Sequence, residues 1–380
     1  MSRRFVLILL SVAMMHHAVP ATAGTPRQLL KKLGTLIDTL SVRGVDPNYI
    51  VSPERPWQLI LRGNVSQSDL KMKASGSLFG LSYTLEPRLK TQPSQYVGLW
   101  AGYRGYGLGY TVNVGGDKGG TFTAGITGGS YGFNLRLHFF ESKDPDITVE
   151  AKDPVSGEDI EQDDSPLLAP IKVHTVIADG FYLFNGKHYS HAAAYDQSVI
   201  QIRSAGSLMA GASYYHGTVN YASDKNADLI YMMKGLGRIK LWQASVGAGY
   251  AYNWVPAKGL LVSMMAMPML TFVNRMKTYH YNTNVEELLG SQMAEEEEED
   301  EDEEEWHKWW TENLKIEERD TEYHNSRMTV GIDARLSLTY NFGRYFVSAC
   351  GKFNRFRYHH HDNQGRLNDW YVNTSLGIRL

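Results

Sequence analysis

The chain has 380 residues, of which 43% are hydrophobic and 12% aromatic, and its formal net charge is −3. The mean hydropathy of −0.34, with 36 glycines, is too low for a helical membrane protein. The single cysteine, Cys350, excludes an internal disulfide. No nucleic-acid partner is expected.

Residues 1–23 are predicted to be a cleaved signal peptide. Arg3 and Arg4 form a basic start, an apolar core runs from Phe5 to Met15, and Ala21-Thr22-Ala23 fits the small-residue cleavage rule. The apolar core is too short to cross a bilayer as a helix. Because no later stretch has eighteen apolar residues without a charged residue, transmembrane helices are not expected elsewhere.

Residues 24–56 are predicted to form a periplasmic amphipathic helix followed by a linker. Apolar residues recur there at spacings of three and four, which is the helical period, at Leu29, Leu30, Leu33, Leu36, Ile37 and Leu40. Asp46-Pro47-Asn48-Tyr49 then turns the chain.

From Trp57 onward the sequence alternates with a period of two, which indicates β-strands. The clearest stretch is Arg327–Phe342, where apolar and polar residues alternate over sixteen positions. Strands of soluble sandwiches are commonly about five or six residues long, so this length favours a membrane barrel. The predicted strands are 76–85, 95–103, 105–114, 120–127, 131–141, 171–184, 205–220, 238–254, 259–275, 326–342, 345–357 and 369–380.

The fold class predicted for residues 57–380 is therefore all-β, a transmembrane antiparallel β-barrel of about twelve strands. Residues 57–75 would raise the count to fourteen if they formed a further hairpin. The charged residues fall on the polar face of these strands, as they must if the other face contacts lipid. The connections alternate between short and long, which predicts periplasmic turns and acidic external loops at 142–170 and 277–325.

One predicted internal connection, 185–204, is unusually long, and it carries a family resemblance. It contains the run from Phe184 to Tyr195 and continues into Arg203-Ser204-Ala205-Gly206-Ser207. Together with Asp46-Pro47-Asn48-Tyr49-Ile50 and Gly102-Tyr103-Arg104-Gly105, it resembles a family of Bacteroidetes-type outer-membrane proteins defined as a domain of unknown function. The resemblance implies a barrel and supplies no activity. Its motif residues in and directly after this connection are Ser190, Ala192, Ala193, Gln201, Ser204, Ala205 and Gly206.

Eleven consecutive acidic residues lie in the second long loop and include Glu295, Glu299, Asp300, Asp302 and Glu305. Such a run repels itself and is typical of a solvated loop tip. Carboxylates also bind hard divalent cations, so loosely bound cations shared with lipopolysaccharide are an alternative. No other cofactor and no specific metal site are expected. Ser190 with His188 and His191 suggests a serine hydrolase only weakly, because the predicted location is periplasmic.

The inward face of the predicted barrel carries the residues that would determine any pore. These lumen-lining residues are Arg136, His138, Gln243, Asn253, Asp333, Arg335, Lys352 and Arg379. Three functions are consistent with them: a narrow pore or solute channel, a non-conducting surface scaffold, or a lipid-acting enzyme, of which the enzyme is the least favoured. The predicted location is the cell outer membrane. The predicted partners are its lipid and lipopolysaccharide and, during biogenesis, the barrel assembly machinery; a solute or surface partner is not specified by the sequence.

Overall fold

A computed structural model describes residues 40–78, 81–90, 93–115, 118–142, 146–152, 159–163, 169–288, 290, 303–360 and 363–380. The predicted signal peptide and nearly all of the predicted N-terminal helix lie outside these residues. The described part of that region begins with a 3-10 turn at Leu40–Val42.

Strands account for most of the described residues. In chain order they are β1 (Ile50–Val51), β2 (Trp57–Leu78), β3 (Leu81–Lys90), β4 (Ser94–Tyr103), β5 (Tyr106–Asn113), β6 (Lys118–Thr127), β7 (Tyr131–Ser142), β8 (Asp146–Lys152), β9 (Asp159–Asp163), β10 (Ile171–Leu183), β11 (Ile200–Gln201), β12 (Ala205–Asn220), β13 (Leu236–Ala257), β14 (Leu260–Thr283), β15 (Ile316–Asn325), β16 (Thr329–Phe342), β17 (Tyr345–His360) and β18 (Asn363–Arg379). The helices are α1 (His191–Tyr195), α2 (Ala227–Met232) and α3 (Glu303–Asn313), with a second 3-10 turn at Asp224–Asn226. Among the described residues, no helix is long and apolar enough to cross a membrane.

Twelve strands form a closed antiparallel barrel. The hydrogen-bonded order is β2-β4-β5-β6-β7-β10-β12-β13-β14-β16-β17-β18, and β18 pairs with β2 to close the circuit. The closing pair runs from Gln58 opposite Arg379 to Lys73 opposite Gln364. Closure removes every free strand edge from the wall. The predicted twelve-stranded antiparallel barrel is confirmed.

The first barrel strand begins earlier than the sequence suggested. Trp57–Leu78 is one continuous strand, so residues 57–75 add no hairpin and the predicted strand at 76–85 is not a separate member of the wall. The segment Leu81–Lys90 instead pairs with the end of β2 and with β8, outside the twelve-stranded circuit. The prediction failed here because residues 66–77 are mostly polar and small, and their apolar alternation is confined to Leu70, Met72 and Ala74.

The wall has an apolar outer face and a filled interior. Leu208 and Leu336 are 64% and 59% exposed on the outside, whereas the neighbouring Met209 is 2% exposed. Aromatic residues edge this apolar band at both ends. Those at the end with the short turns, the turn end, are Trp57, Tyr131, Tyr182, Trp254, Tyr340 and Phe342, and those toward the opposite end, the loop end, include Phe139, Tyr214 and Phe272. Such girdles are typical of membrane barrels.

Candidate functional site in the barrel lumen

The connection between β10 and β12 folds back into the turn end of the barrel and forms a plug, defined here as residues 185–204. The Asp196 carbonyl accepts a hydrogen bond from Gln58 Nε2 on β2 (3.0 Å), and the Gln197 carbonyl accepts one from Arg379 Nη2 on β18 (3.1 Å). On another side, Asn253 Nδ2 on β13 donates to the Ser190 carbonyl at 2.8 Å. Because these strands lie around the barrel, the plug crosses the lumen.

The helix of the plug begins at Ser190. Its hydroxyl accepts a hydrogen bond from the Ala193 backbone N–H at 3.1 Å, which is an N-cap. The following Ala192, Ala193 and Ala194 are at most 2% exposed, and their small side chains let the helix pack against Ile50, Val199 and Leu261. Ser190 itself is 4% exposed. The Ser190 hydroxyl therefore stabilises the start of the helix as its N-cap.

Gln201 joins the two ends of the plug. Its Oε1 accepts from the Ser190 backbone N–H (2.9 Å) and from Asn253 Nδ2 (3.0 Å). Its Nε2 donates to the carbonyls of His188 (2.6 Å) and Arg203 (2.9 Å). One buried amide thus hydrogen-bonds four groups of the plug and the wall, and loss of a buried partner costs about 1–3 kcal/mol for each group left unsatisfied.

The other family-motif residues connect the plug to the wall. Ser204 Oγ accepts from the Val255 backbone N–H at 2.9 Å, and Ala205 is the register partner of Asn253. The Gly206 carbonyl accepts from Asn185 Nδ2 at 2.8 Å. The structure therefore brings the motif residues together as packing and hydrogen-bonding partners of one plug.

The segment before the barrel holds the plug from its outer side. β1 pairs with β11, with Ile50 opposite Gln201. His188 Nε2 lies 3.5 Å from Asp46 Oδ2, and its ring packs on Tyr49 at 4.5 Å between centroids. The hydrogen bond from the Asn48 backbone N–H lowers the pKa of Asp46, which favours the carboxylate that faces His188.

His191 points from the plug into the lumen. Its ring lies between those of Phe181 and Tyr195, at centroid distances of 4.1 and 4.4 Å. Burial lowers the pKa of His191 to about 3, so the ring is neutral at physiological pH. Burial also raises the pKa of the nearby Tyr189 hydroxyl. Around His191, uncharged side chains of the plug face the charged groups of the wall.

Four charged side chains meet across the lumen in an ionic cluster of Asp179, Asp333, Arg335 and Lys352. Arg335 on β16 donates through Nε and Nη2 to the two carboxylate oxygens of Asp333, at 3.3 and 2.8 Å, and its Nη2 lies 3.4 Å from Asp179 Oδ2 on β10. Lys352 Nζ on β17 lies 3.7 Å from Asp179 and 3.8 Å from Asp333. Two cations and two anions cancel, and none of the four side chains is more than 16% exposed.

The space beside the ionic cluster is nearly full. The cavity there has a volume of about 10 Å³ and is lined in part by Asp179, His191 and Arg335. A cavity of about that size holds a single water molecule. Apolar side chains fill the adjoining lumen, namely Phe181, Leu183, Met209, Met265, Met267 and Met269. The ionic cluster and these apolar side chains together occupy much of the lumen at this level.

The remaining predicted lumen residues lie at other heights. Arg136 on β7 stacks over Tyr371 on β18 at 4.5 Å, and the His138 Nδ1 lies 2.6 Å from Thr121 Oγ1. Gln243 Nε2 donates to Asn274 Oδ1 at 2.9 Å nearer the loop end. At the turn end, Asn253 and Arg379 contact the plug. The structure therefore groups Asp333, Arg335 and Lys352 in one site and leaves the other five as separate polar contacts.

Asp179 and Arg62 also face the lumen, and the sequence did not predict either of them there. Asp179 bridges Arg335 and Lys352, and Arg62 stacks over Trp100 at 4.1 Å. Alternation along β10 places Asp179 on the same face as Ile177 and Phe181, which was the available signal. That signal was missed because the strand has only one acidic residue and its partners lie on distant strands.

The acidic loop is only partly within the described residues. Glu295, Glu299, Asp300 and Asp302 lie outside them, and Glu305 falls in the first turns of α3. The loops predicted at 142–170 and 277–325 contain the strands β8, β9 and β15, which continue the sheet beyond the wall. Within the part of the chain that the structure describes, no group of three His, Cys, Asp or Glu side chains could hold a metal ion.

Residues 44–378 match the family described as Domain of unknown function (DUF4421). The chain belongs to this family. The match covers the plug and nearly the whole barrel, so the motif residues described above lie inside the family's domain. A comparison with curated proteins finds no match.

Solved structures similar to this member of the family include outer-membrane barrels and barrel domains. The β domain of the Bordetella autotransporter BrkA is 10% identical, with 86% of this chain and 100% of that chain covered and a TM-score of 0.32. The translocator domain of the autotransporter NalP from Neisseria meningitidis is 9% identical, with 93% and 95% covered and a TM-score of 0.29. The outer membrane protein OprG from Pseudomonas aeruginosa is 11% identical, with 86% and 98% covered and a TM-score of 0.25. Similarity of this degree carries no information about function.

Proposed function

We propose that this chain is an outer-membrane β-barrel of a Gram-negative, Bacteroidetes-type bacterium. The support is the apolar outer band between two aromatic girdles, since a closed barrel satisfies every backbone group in lipid. In this orientation the turn end with the plug faces the periplasm, and the loop end faces the outside. Export through the signal peptide at 1–23 and insertion by the barrel assembly machinery belong to the same proposal.

The lumen supports a non-conducting scaffold better than a narrow pore. The single observation that carries this proposal is the ionic cluster, which joins β10 to β16 and β17 through paired charges and leaves a cavity of about 10 Å³. The plug adds a second closure at the turn end. A basic lumen attracts anions only when its charges are unpaired, and here Arg335 and Lys352 are paired with carboxylates.

The scaffold would hold an acidic surface outside the cell. β15 extends beyond the wall and exposes Glu317, Glu318, Asp320 and Glu322. Trp310 of α3 is buried and donates through Nε1 to Asp228 Oδ2 at 3.2 Å, so α3 is docked on the region of α2. These elements form a surface for a cation, glycan or protein partner. Divalent cations bound loosely by the run that contains Glu295 and Glu299 are part of this proposal.

An enzymatic role is not proposed. The Ser190 hydroxyl serves as a helix N-cap and is buried, which argues against its use as a nucleophile. A lipase assay of Ser190→Ala against the unaltered protein checks this point, and equal rates at background level are expected.

Conductance in a planar bilayer tests the proposal. The refolded protein should insert and give no stepwise current. A variant in which residues 188–202 are replaced by a Gly/Ser linker and the ionic cluster is reduced by Arg335→Ala and Asp179→Ala should conduct. Heat-dependent gel mobility, which reports a folded barrel, is the control for both proteins. Stepwise currents from the unaltered protein would instead support the narrow pore.

A further inference from the structure

Basic side chains gather on the outer face of the barrel toward the loop end. Lys240 on β13 and Lys277 on β14 are register partners, and Arg275 lies one row nearer the centre of the wall, opposite Trp242. We call Lys240, Arg275 and Lys277 the basic patch. Side chains of directly opposite residues in an antiparallel pair point to the same face and are close together. The three cations therefore share one small area of the surface.

The basic patch faces outward. Gln243 and Asn274, which are register partners, hydrogen-bond each other inside the lumen, so the residues next to them in each strand face the other way. In agreement, Trp242 stacks on His216 of β12 with 5.0 Å between ring centroids, and Arg275 is exposed. Lys240 and Lys277 follow two positions farther along the same outward rows.

The charges of the basic patch are not neutralised by carboxylates of the described chain. Arg238, one row farther toward the loop end, pairs with Glu318 at 3.1 Å. Among the described residues, no carboxylate lies within 4.0 Å of Lys240, Arg275 or Lys277. The two lysine ammonium groups instead lie 5.1 and 4.6 Å from the Tyr279 ring centroid. Like charges directly opposite each other are destabilising, so this arrangement favours an external anion.

The position of the basic patch relative to the membrane surface indicates which anion it binds. Tyr214, Trp242 and Phe272 belong to the aromatic girdle at the loop end, and such residues lie at the level of lipid headgroups. The lysine row lies one outward step beyond Trp242, where the phosphates of the outer leaflet are found. We propose that Lys240, Arg275 and Lys277 bind the phosphate groups of the lipid A part of lipopolysaccharide. This inference rests on the membrane orientation given under the proposed function and does not depend on whether the lumen conducts.

Lipid A binding to the detergent-solubilised barrel tests the assignment. The full chain is titrated with bisphosphorylated lipid A and, separately, with dephosphorylated lipid A and with inorganic phosphate, and bound lipid is counted by native mass spectrometry. The unaltered protein should bind bisphosphorylated lipid A and show much weaker binding of the dephosphorylated form. The double variant Lys240→Gln with Lys277→Gln should bind about 30-fold more weakly, the loss expected for two cations at an anionic surface. Lys258→Gln, which removes an exposed lysine at the turn end, should bind like the unaltered protein.

A stability measurement separates a binding role from a structural one. Without lipid A, the double variant should melt at the same temperature as the unaltered protein or higher, because a repulsion has been removed. With lipid A, the unaltered protein alone should gain thermal stability. Equal binding of the phosphorylated and dephosphorylated lipids would overturn the proposal, and that comparison needs no variant. Insertion into phospholipid vesicles is measured in parallel, since failure to insert would count against the membrane orientation rather than against the patch.

Discussion

Arg335 is the residue whose loss should most disturb the lumen. It donates to Asp333 twice and reaches Asp179 on β10, four strands away along the wall. Arg335→Met would leave two buried carboxylates with Lys352 as their only remaining cationic partner in the described cluster. Removing one member of a buried ionic network costs about 3–5 kcal/mol. We expect a loss of that size in the free energy of unfolding, measured by urea titration of the barrel in detergent.

A second variant distinguishes the broken network from lost packing. Removing the network as a whole, with Arg335→Met, Asp333→Leu, Asp179→Leu and Lys352→Met, replaces paired charges by apolar side chains and should cost much less than Arg335→Met alone. Arg327→Met, at an exposed arginine just before β16, should leave stability unchanged. If all three proteins lost the same stability, the ionic cluster would not be the cause.

His191 should make the stability of the barrel depend on pH. Its pKa in the folded protein is about 3, below the ordinary value of 6.5. At pH values between these two pKa values, His191 binds a proton in the unfolded chain but not in the folded chain. Stability should therefore fall as the pH drops below 6.5, by at most about 1.4 kcal/mol per pH unit. Urea midpoints at pH 7 and pH 5 should differ less in His191→Phe than in the unaltered protein, whereas His174→Phe, on the outside of β10, should keep the full difference.

At the residue scale, the sequence predicted which side chains face the lumen but not which of them pair with one another. The alternation in β16 placed Asp333 and Arg335 on one inward face, and they do bond each other. Asp179 is 156 residues from Arg335, and no local pattern relates the two. Which charges meet across a lumen depends on strand order, register and tilt, and these become known only when the barrel is closed.

At the scale of the element, the tight turn between β4 and β5 has a strict requirement for glycine. Arg104 and Gly105 have φ values of 49° and 92°, as in a type I′ hairpin turn. A Cβ at Gly105 would lie 2.2 Å from the Thr127 carbonyl oxygen of the next hairpin. Gly105→Ala should cost about 1–2 kcal/mol for the backbone conformation and a further 1–3 kcal/mol for the clash.

Gly343, in the turn between β16 and β17, is the matched control. It also has a positive φ, 62°, but an added Cβ would meet nothing within 4 Å. Gly343→Ala should therefore show the backbone cost alone. Urea unfolding of the two variants measures the difference, and equal losses would mean that contact with Thr127 is not limiting.

The elements that the sequence predicted best are those in contact with the apolar band. Arg238–Trp254 and Arg327–Phe342 alternate because one face needs apolar side chains and the other does not, and both correspond to wall strands. Beyond the band that requirement ends. The second half of Trp57–Leu78 has only the short alternation of Leu70, Met72 and Ala74, and Ile316–Asn325 has none. Periodicity therefore did not reveal these strands.

At the scale of the whole molecule, the seam between β2 and β18 fixes the register of the barrel. Asn64 and Asn373 are opposite each other there, and Asn64 Nδ2 donates to Asn373 Oδ1 at 2.6 Å. In a Cys350→Ser background, the pair Asn64→Cys with Asn373→Cys should form a disulfide, seen as a changed mobility of the boiled, unreduced protein. The pair Asn64→Cys with Val372→Cys should not, because neighbouring residues in a strand face opposite ways. The reverse result would place the seam one residue out of register.

The plug contacts the seam between β2 and β18 from inside the barrel. Gln58 and Arg379 are register partners at this seam, and their side chains donate to the consecutive carbonyls of Asp196 and Gln197. If the last strand slipped by two residues, Arg379 would move by about 6.6 Å, and a buried carbonyl would lose its donor at a cost of about 1–3 kcal/mol. The contacts of the plug with Gln58 and Arg379 therefore favour the one alignment of β2 with β18 in which both carbonyls keep their donors.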